Sequence, residues 1–203
     1  MEIIQLKSKF LMGSFEQNTY VLKNKNKAFI IDAGAEVEDI KNALGKAKAC
    51  FICITHLHFD HIWNLEKYIQ EFDLPVYICA GAEKAFLNPE LNASKSLDLK
   101  FNISQKNIKY YAKKLSSDGF QIEVIETPGH SFDSVCLLVD KNLFCGDTLF
   151  VDGVGRTDFE GGSFDSLKVS LEKILNTKFD MAFSGHYEPF DKTIAEKIIR
   201  YYI

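Results

Sequence analysis

Two β-sheets packed together with helices outside, an α+β sandwich, is the architecture this sequence predicts. Two observations carry it. Short apolar, strand-like runs recur in groups, and each group is followed by stretches with helical periodicity. No internal repeat, low-complexity segment or Pro/Gly linker divides the 203 residues, so residues 1–203 are read as one domain with a core of its own. The pattern gives a class and no topology.

The elements follow in order. Ile3–Leu6, Thr19–Leu22 and Ala28–Asp32 read as strands, the last two joined by the lysine-rich turn KNKNK. After Asp32 comes an amphipathic helix over 37–44, with Val37, Ile40, Ala43 and Leu44 on one face and Gly45 near its end. ACFICIT is a continuous apolar run, read as a strand buried on both faces. Ile62, Leu65, Ile69 and Phe72 then recur at helical spacing until Pro75, so a helix is predicted from about Ile62. PVYICA is a further strand, followed by a short helix over 82–87. Residues 88–117 carry only weak periodicity and no assignment. Strands return at 121–127, 134–139 and 142–145, then a helix at 164–175 with Ser163 as its N-cap. A strand at 181–183 and a helix at 194–201 complete the reading.

Composition narrows the classes. With 46% hydrophobic and 26% charged residues the chain has the balance of a soluble globular protein. No run approaches the roughly 20 apolar residues of a membrane span. The start, MEIIQLK, lacks the cationic and apolar regions of a signal peptide, so a cytoplasmic location is expected. Cys50, Cys53, Cys79, Cys136 and Cys145 all lie in strand-like stretches and are read as buried core residues, not as a disulfide framework. A net charge of −4 without a dense basic cluster gives no invitation to nucleic acid.

The chemistry concentrates in Thr55-His56-Leu57-His58-Phe59-Asp60-His61, which holds three of the five histidines. On a helix, positions i and i+2 point about 200° apart and cannot close on one ion, whereas in an extended segment they share a face. The cluster lies between a strand and a helix, on a loop of the kind where sites form. Imidazole and carboxylate donors suit zinc, iron or manganese, and the lack of thiolate argues against a closed structural zinc cage. Solvated loop histidines with an N-capping Asp60 are the alternative; three imidazoles and a carboxylate within six positions weigh against it. His130 in ETPGHSFDS and His186 in AFSGHYE each follow an apolar strand and a glycine, and Asp147 in LFCGDTLF repeats that pattern with a carboxylate. A carboxylate can bridge two cations, so Asp147 is the bridging candidate. One cation is assigned to His56, His58, His130 and Asp147, a second to Asp60, His61, His186 and Asp147. Asp32, ending FIIDAG, is assigned to accept a hydrogen bond from the ligand loop, with a turn or helix cap as the alternative.

THxHxDH followed by GH, GDTLF and GH resembles the ligand pattern of the metallo-β-lactamase superfamily. That resemblance implies an αββα sandwich of two mixed β-sheets with helices on the outer faces and a dinuclear site at one sheet edge. Within the superfamily, GDTLFVDGVGRTDFEGGS and FLNPELNASKS resemble the short glyoxalase II-like (hydroxyacylglutathione hydrolase-like) enzymes. The implied cofactors are two divalent cations, zinc first, with iron or manganese as alternatives. The implied reaction is hydrolysis of a small-molecule thioester or ester by a hydroxide bridging the two cations, which bring the pKa of water from about 15.7 towards about 7. Asp60 is assigned to ligate and to orient the nucleophile. Arg156 is assigned to an anionic substrate end or to bracing its loop, and Tyr187 to the reacting group or to packing. Two departures stand out: Gly185-His186-Tyr187-Glu188-Pro189 replaces the usual GHGP, and no helical C-terminal domain follows. The rival readings are a mononuclear iron persulfide dioxygenase using His56, His130 and Asp147, a lactonase, a metal-dependent nuclease and a non-catalytic metal-binding module. No membrane and no nucleic acid partner is expected, and the oligomeric state is left open.

Overall fold

Alternation along the strands builds the molecule in four layers. The computed structural model describes residues 1–10, 15–99 and 101–203. One six-stranded sheet runs in the order β1 (Glu2–Phe10), β2 (Phe15–Asn24), β3 (Lys27–Ile31), β4 (Lys48–Cys53), β5 (Val76–Ile78), β6 (Ile108–Tyr110). Its first three strands are antiparallel and β3 to β6 are parallel. The other six-stranded sheet comprises β7 (Lys114–Ser117), β8 (Phe120–Glu126), β9 (Val135–Val139), β10 (Asn142–Gly146), β11 (Met181–Ser184) and β12 (Phe190–Asp191), paired in that sequence from edge to edge. Only β10 and β11 are parallel in it. Helices α1 (Val37–Leu44) and α2 (Leu65–Phe72) cover the first sheet; α3 (Phe164–Leu175) and α4 (Lys192–Tyr202) cover the second.

Successive side chains of a strand face opposite ways, and each face finds its own core. Tyr20, Leu22, Phe29, Ile31, Phe51 and Cys53 point between the sheets, against Phe120, Ile122, Leu137 and Phe144. Their neighbours Val21, Ala28, Ile30 and Ile52 point outward, under Ile40 and Leu44 of α1 and Leu65 and Ile69 of α2. On the other side Leu143, Cys145 and Ala182 meet Leu167, Leu171 and Ile174 of α3 and Ala195 and Ile199 of α4. The inter-sheet layer is aromatic: Phe29 stacks on Phe51 at 4.9 Å between centroids and meets Phe120 edge-on at 4.8 Å. Truncating Phe29 to alanine there removes about 3–5 kcal/mol.

Several expectations need correction. The helix predicted from Ile62 begins at Leu65, because the preceding turn is held elsewhere. Ala33 N–H donates to the His61 carbonyl, Asn64 N–H donates to the Ala33 carbonyl, and the Asn64 amide donates to the carbonyls of Gly34 and Ala35. The helix predicted at 82–87 is a single 3₁₀ turn, Ala82–Ala85. β4 is buried on both faces only in its second half. All five cysteines are free, but Cys50 and Cys79 are half-buried, not buried, since they lie near strand ends. The unassigned stretch holds a 3₁₀ turn at Lys95–Leu97 and the strands β6 and β7; residue 100 lies outside the described residues. Among the described residues no helix is long and apolar enough to cross a membrane.

Candidate metal centre

Strand ends of both sheets deliver the chemical groups to one place. Asp32 follows β3, the segment 55–61 follows β4, and His130 sits in the loop between β8 and β9. Asp147 follows β10 and His186 follows β11. The loops are stitched to each other by backbone bonds: Val135 N–H donates to the Thr55 carbonyl across the two sheets, and Gly185 N–H donates to Gly146. Close approach is possible only because residue 185 is glycine. A Cβ there would stand 2.1 Å from Asp147 Oδ1 and 2.5 Å from His61 Cε1.

The structure brings all seven predicted ligands together. His56, His58 and His130 form one group whose ring nitrogens lie within 4.8 Å of one another, Asp60, His61 and His186 form another, and His56, His61 and Asp147 link them. The Asp147 carboxylate lies between the two groups. Its Oδ1 is 3.2 Å from His61 Nε2, and its Oδ2 is 3.1 Å from His186 Nε2 and 3.6 Å from His130 Nε2. Asp60 Oδ2 stands 3.3 Å from His186 Nε2 and 3.6 Å from His61 Nε2.

Neighbouring groups fix which nitrogen of each ring faces inward. His61 Nδ1 donates to Asp32 Oδ2 at 2.8 Å, His130 Nδ1 donates to the Arg156 carbonyl at 2.7 Å, and His186 Nδ1 donates to the Glu16 carbonyl. Holding one ring nitrogen this way leaves the other as a lone-pair donor towards the centre. Asp32 is in the left-handed region, φ +64°, and also accepts the Thr55 N–H at 2.8 Å. The predicted hydrogen bond from the ligand loop to Asp32 is therefore present in the geometry.

The electrostatics of the two groups differ. Burial, with His130 beside it, drives His58 down to about 3, and burial with His61 and His58 lowers His56. Burial would also lower His61, but Asp147, Asp60 and Asp32 outweigh it and push the ring up to about 10. His186 is likewise pushed up to about 12, against burial, by Asp147 and Asp60. Asp147 is held well below the usual carboxylate range by His186 and His61, despite burial.

These residues fit divalent cations. His56 Nε2 is buried without a hydrogen-bond partner, a costly condition unless the atom binds something else. His58 Nδ1 and His130 Nε2 face each other at 2.9 Å, where a shared proton or a cation must hold them. The donor set is nitrogen and oxygen only, with carboxylates whose negative charge asks for a counter-charge.

A cavity of about 800 Å³ opens over the centre, reached past Phe59, Leu97, Phe150, Phe159 and Tyr187. Arg156 lines it, but its guanidinium is spoken for: Nε donates to Asp158 Oδ1 at 2.6 Å, Nη2 reaches Asp158 Oδ2, and the group lies 4.2 Å over the Phe159 ring. Tyr187 also lines it, half-exposed, its ring 5.5 Å from Phe150.

Other residues of the site escaped the sequence reading. Asp133 is buried and accepts the N–H of Leu57, between the two histidines of HxH, at 2.9 Å. Asn18 and Tyr20 of β2 hold the turn that carries His186: the Asn18 amide donates to Ser184 and Tyr187 carbonyls and the Tyr20 hydroxyl to Ser184. The segment FLNPELNASKS contributes the Asn92 carbonyl, which accepts Phe59 N–H. Asp133 stands three positions after His130, with nothing local to mark it as the acceptor for Leu57. Asn18 and Tyr20 had no local signal either, since their partners lie more than 160 residues away.

An αββα sandwich whose strand ends gather five histidines and two aspartates defines a metallo-hydrolase. The chain belongs to the metallo-beta-lactamase superfamily, whose family model matches residues 12–186. It is 33% identical over 192 residues to a probable metallo-hydrolase of Bacillus subtilis, covering 86% of this chain and 87% of that one. It is 32% identical over 184 residues to a hydroxyacylglutathione hydrolase of Francisella philomiragia, covering 88% of this chain but 65% of the relative. Among solved structures it is similar to the B3 metallo-beta-lactamase BLEG-1, with a TM-score of 0.85, 30% identity, and 97% of this chain and 96% of that one covered.

Proposed function

We propose that this protein is a dinuclear metal-dependent hydrolase that cleaves a small-molecule thioester or ester. The observation that carries the reading is the position of Asp147, one carboxylate shared between His56, His58 and His130 on one side and Asp60, His61 and His186 on the other. His56, His58, His130 and Asp147 would hold one cation, and Asp60, His61, His186 and Asp147 the second, with zinc the first choice for this nitrogen and oxygen donor set. When bound, such a pair supplies a water acidic enough to give hydroxide near neutral pH and polarises a carbonyl oxygen.

The chain's own residues do the rest. The cavity walls from Phe59, Phe150 and Phe159 exclude water around a bound acyl group and hold it over the centre. Asp60, whose Oδ2 stands 3.3 Å from His186 Nε2, would both help hold the second cation and orient the attacking water. Hydrolysis then adds the water oxygen to the acyl carbon, breaks the C–S or C–O bond, and passes the water's proton to the departing thiolate or alkoxide. Similarity to hydroxyacylglutathione hydrolases supports a thioester.

Metal content per chain, measured together with turnover of S-lactoylglutathione, a panel of other thioesters and a simple lactone, tests the reading. Two zinc or manganese ions with thioester hydrolysis support it. One iron with oxygen consumption turns it over in favour of the persulfide dioxygenase.

A further inference from the structure

The cavity over the centre does not end at Phe159. A second hollow of about 610 Å³ adjoins it, and the two share Ala93, Ser96 and Phe159. Phe159 thus forms the sill between them, its ring 5.5 Å from that of His58. With the carbonyl at the centre, this groove is the space open to a thiol portion.

The groove has a definite electrical character. Apart from the metal-ligating groups, four described carboxylates line it: Asp152 beside the centre, and Glu90, Asp158 and Glu160 around the outer hollow. Two of the four are neutralised by the groove's two described cations, Asp158 by Arg156 and Glu90 by Lys95, so Asp152 and Glu160 carry its excess negative charge. Arg156 is clamped by two bonds to Asp158 and lies on the Phe159 ring, and the Lys95 ammonium is bonded to Glu90. The apolar share of the wall is largely aromatic, with Phe59, Phe150, Phe159 and Tyr187 beside Leu97 and Val154. Excess carboxylate beside aromatic faces attracts cationic groups, repels anionic ones and leaves neutral ones to the apolar walls.

We infer that the substrate's leaving group carries no net negative charge: the enzyme takes neutral or cationic thioesters in preference to those of an acidic tripeptide thiol such as glutathione. This rests on the hydrolase reading and narrows it. The groups concerned are not ligands, and Asp152 and Glu160 are exposed surface residues whose replacement leaves the core untouched.

The test uses the metal-loaded protein and thioesters of one acyl group on three thiols: neutral N-acetylcysteamine, cationic thiocholine and glutathione. The kcat/KM for the first two is expected to exceed that for the glutathione ester by about fivefold or more at low salt. The gap should close in about 1 M salt, where the Debye length falls to roughly 3 Å. Glu160→Lys and Asp152→Lys should each raise kcat/KM for the glutathione ester by about threefold and lower it for the thiocholine ester. Because each variant is compared on one substrate at a time, differences in size between the thiols drop out. A glutathione ester preferred by the unmodified protein, or charge-reversed variants that move neither ester, overturns the inference while leaving the hydrolase in place. Failure of all three esters in protein that carries two metal ions overturns the hydrolase reading and this inference with it.

Discussion

The two halves of the centre both rest on imidazoles yet differ in their electrostatics. The half made by His56, His58 and His130 is all nitrogen and buried, and burial with neighbouring rings lowers His56 and drives His58 down to about 3. In the half made by Asp60, His61 and His186, Asp147 and Asp60, joined at His61 by Asp32, outweigh burial and push the imidazoles up to about 10 and about 12. The same side chain thus sits in opposite electrostatic settings: burial and neighbouring imidazoles prevail at His56 and His58, carboxylates at His61 and His186. Asp147 touches both halves, 3.6 Å from His130 Nε2 and 3.1 Å from His186 Nε2.

The largest test of this contrast removes the shared group. Asp147→Ala is expected to reduce bound metal to one ion or fewer per chain and to lower kcat/KM by more than about 10³, read by elemental analysis and thioester turnover. Next, His58→Ala and Asp60→Ala should separate the halves. Each is expected to leave about one ion per chain, with kcat down about 10²; competition with a chromogenic chelator should find the tighter remaining ion in the His58 variant, where the carboxylate-bearing half is intact. If both variants lose both ions, the halves do not act separately. Asp32→Asn keeps the shape but takes the negative charge from His61 Nδ1, and should weaken metal binding at that half by about 10- to 100-fold with the other half unchanged. The smallest effect belongs to Asp133→Val, which leaves Leu57 N–H buried without an acceptor. A loss of about 1–3 kcal/mol in denaturant unfolding is expected, with any change in metal affinity confined to the half of His56 and His58.

The legible part of this centre was the part written locally. His56, His58, Asp60 and His61 announce themselves by spacing, and His130, Asp147 and His186 by the repeated order of strand, glycine, ligand. The sandwich was legible through its grouped apolar runs, as in Tyr20, Val21 and Leu22, apolar in succession because each strand face meets its own core. What was not legible depends on distant pairing. Nothing near Asn64 reveals that it holds the carbonyls of Gly34 and Ala35 and so delays the helix to Leu65. Strands β6 and β7 are short and mostly exposed, so their side chains carry no apolar rhythm and only their neighbours in the sheet define them. Asp133 reads as one more loop acid until Leu57 is placed against it.

The hold of the Glu16 carbonyl on His186 bridges 170 positions of sequence. Contacts of such span form late, because closing so long a loop loses entropy before it gains anything. The carboxylate-bearing half therefore completes itself only after a hairpin near the beginning and a turn near the far end have met. A cation held in that half would thus report that β2 and the turn after β11 have docked on each other.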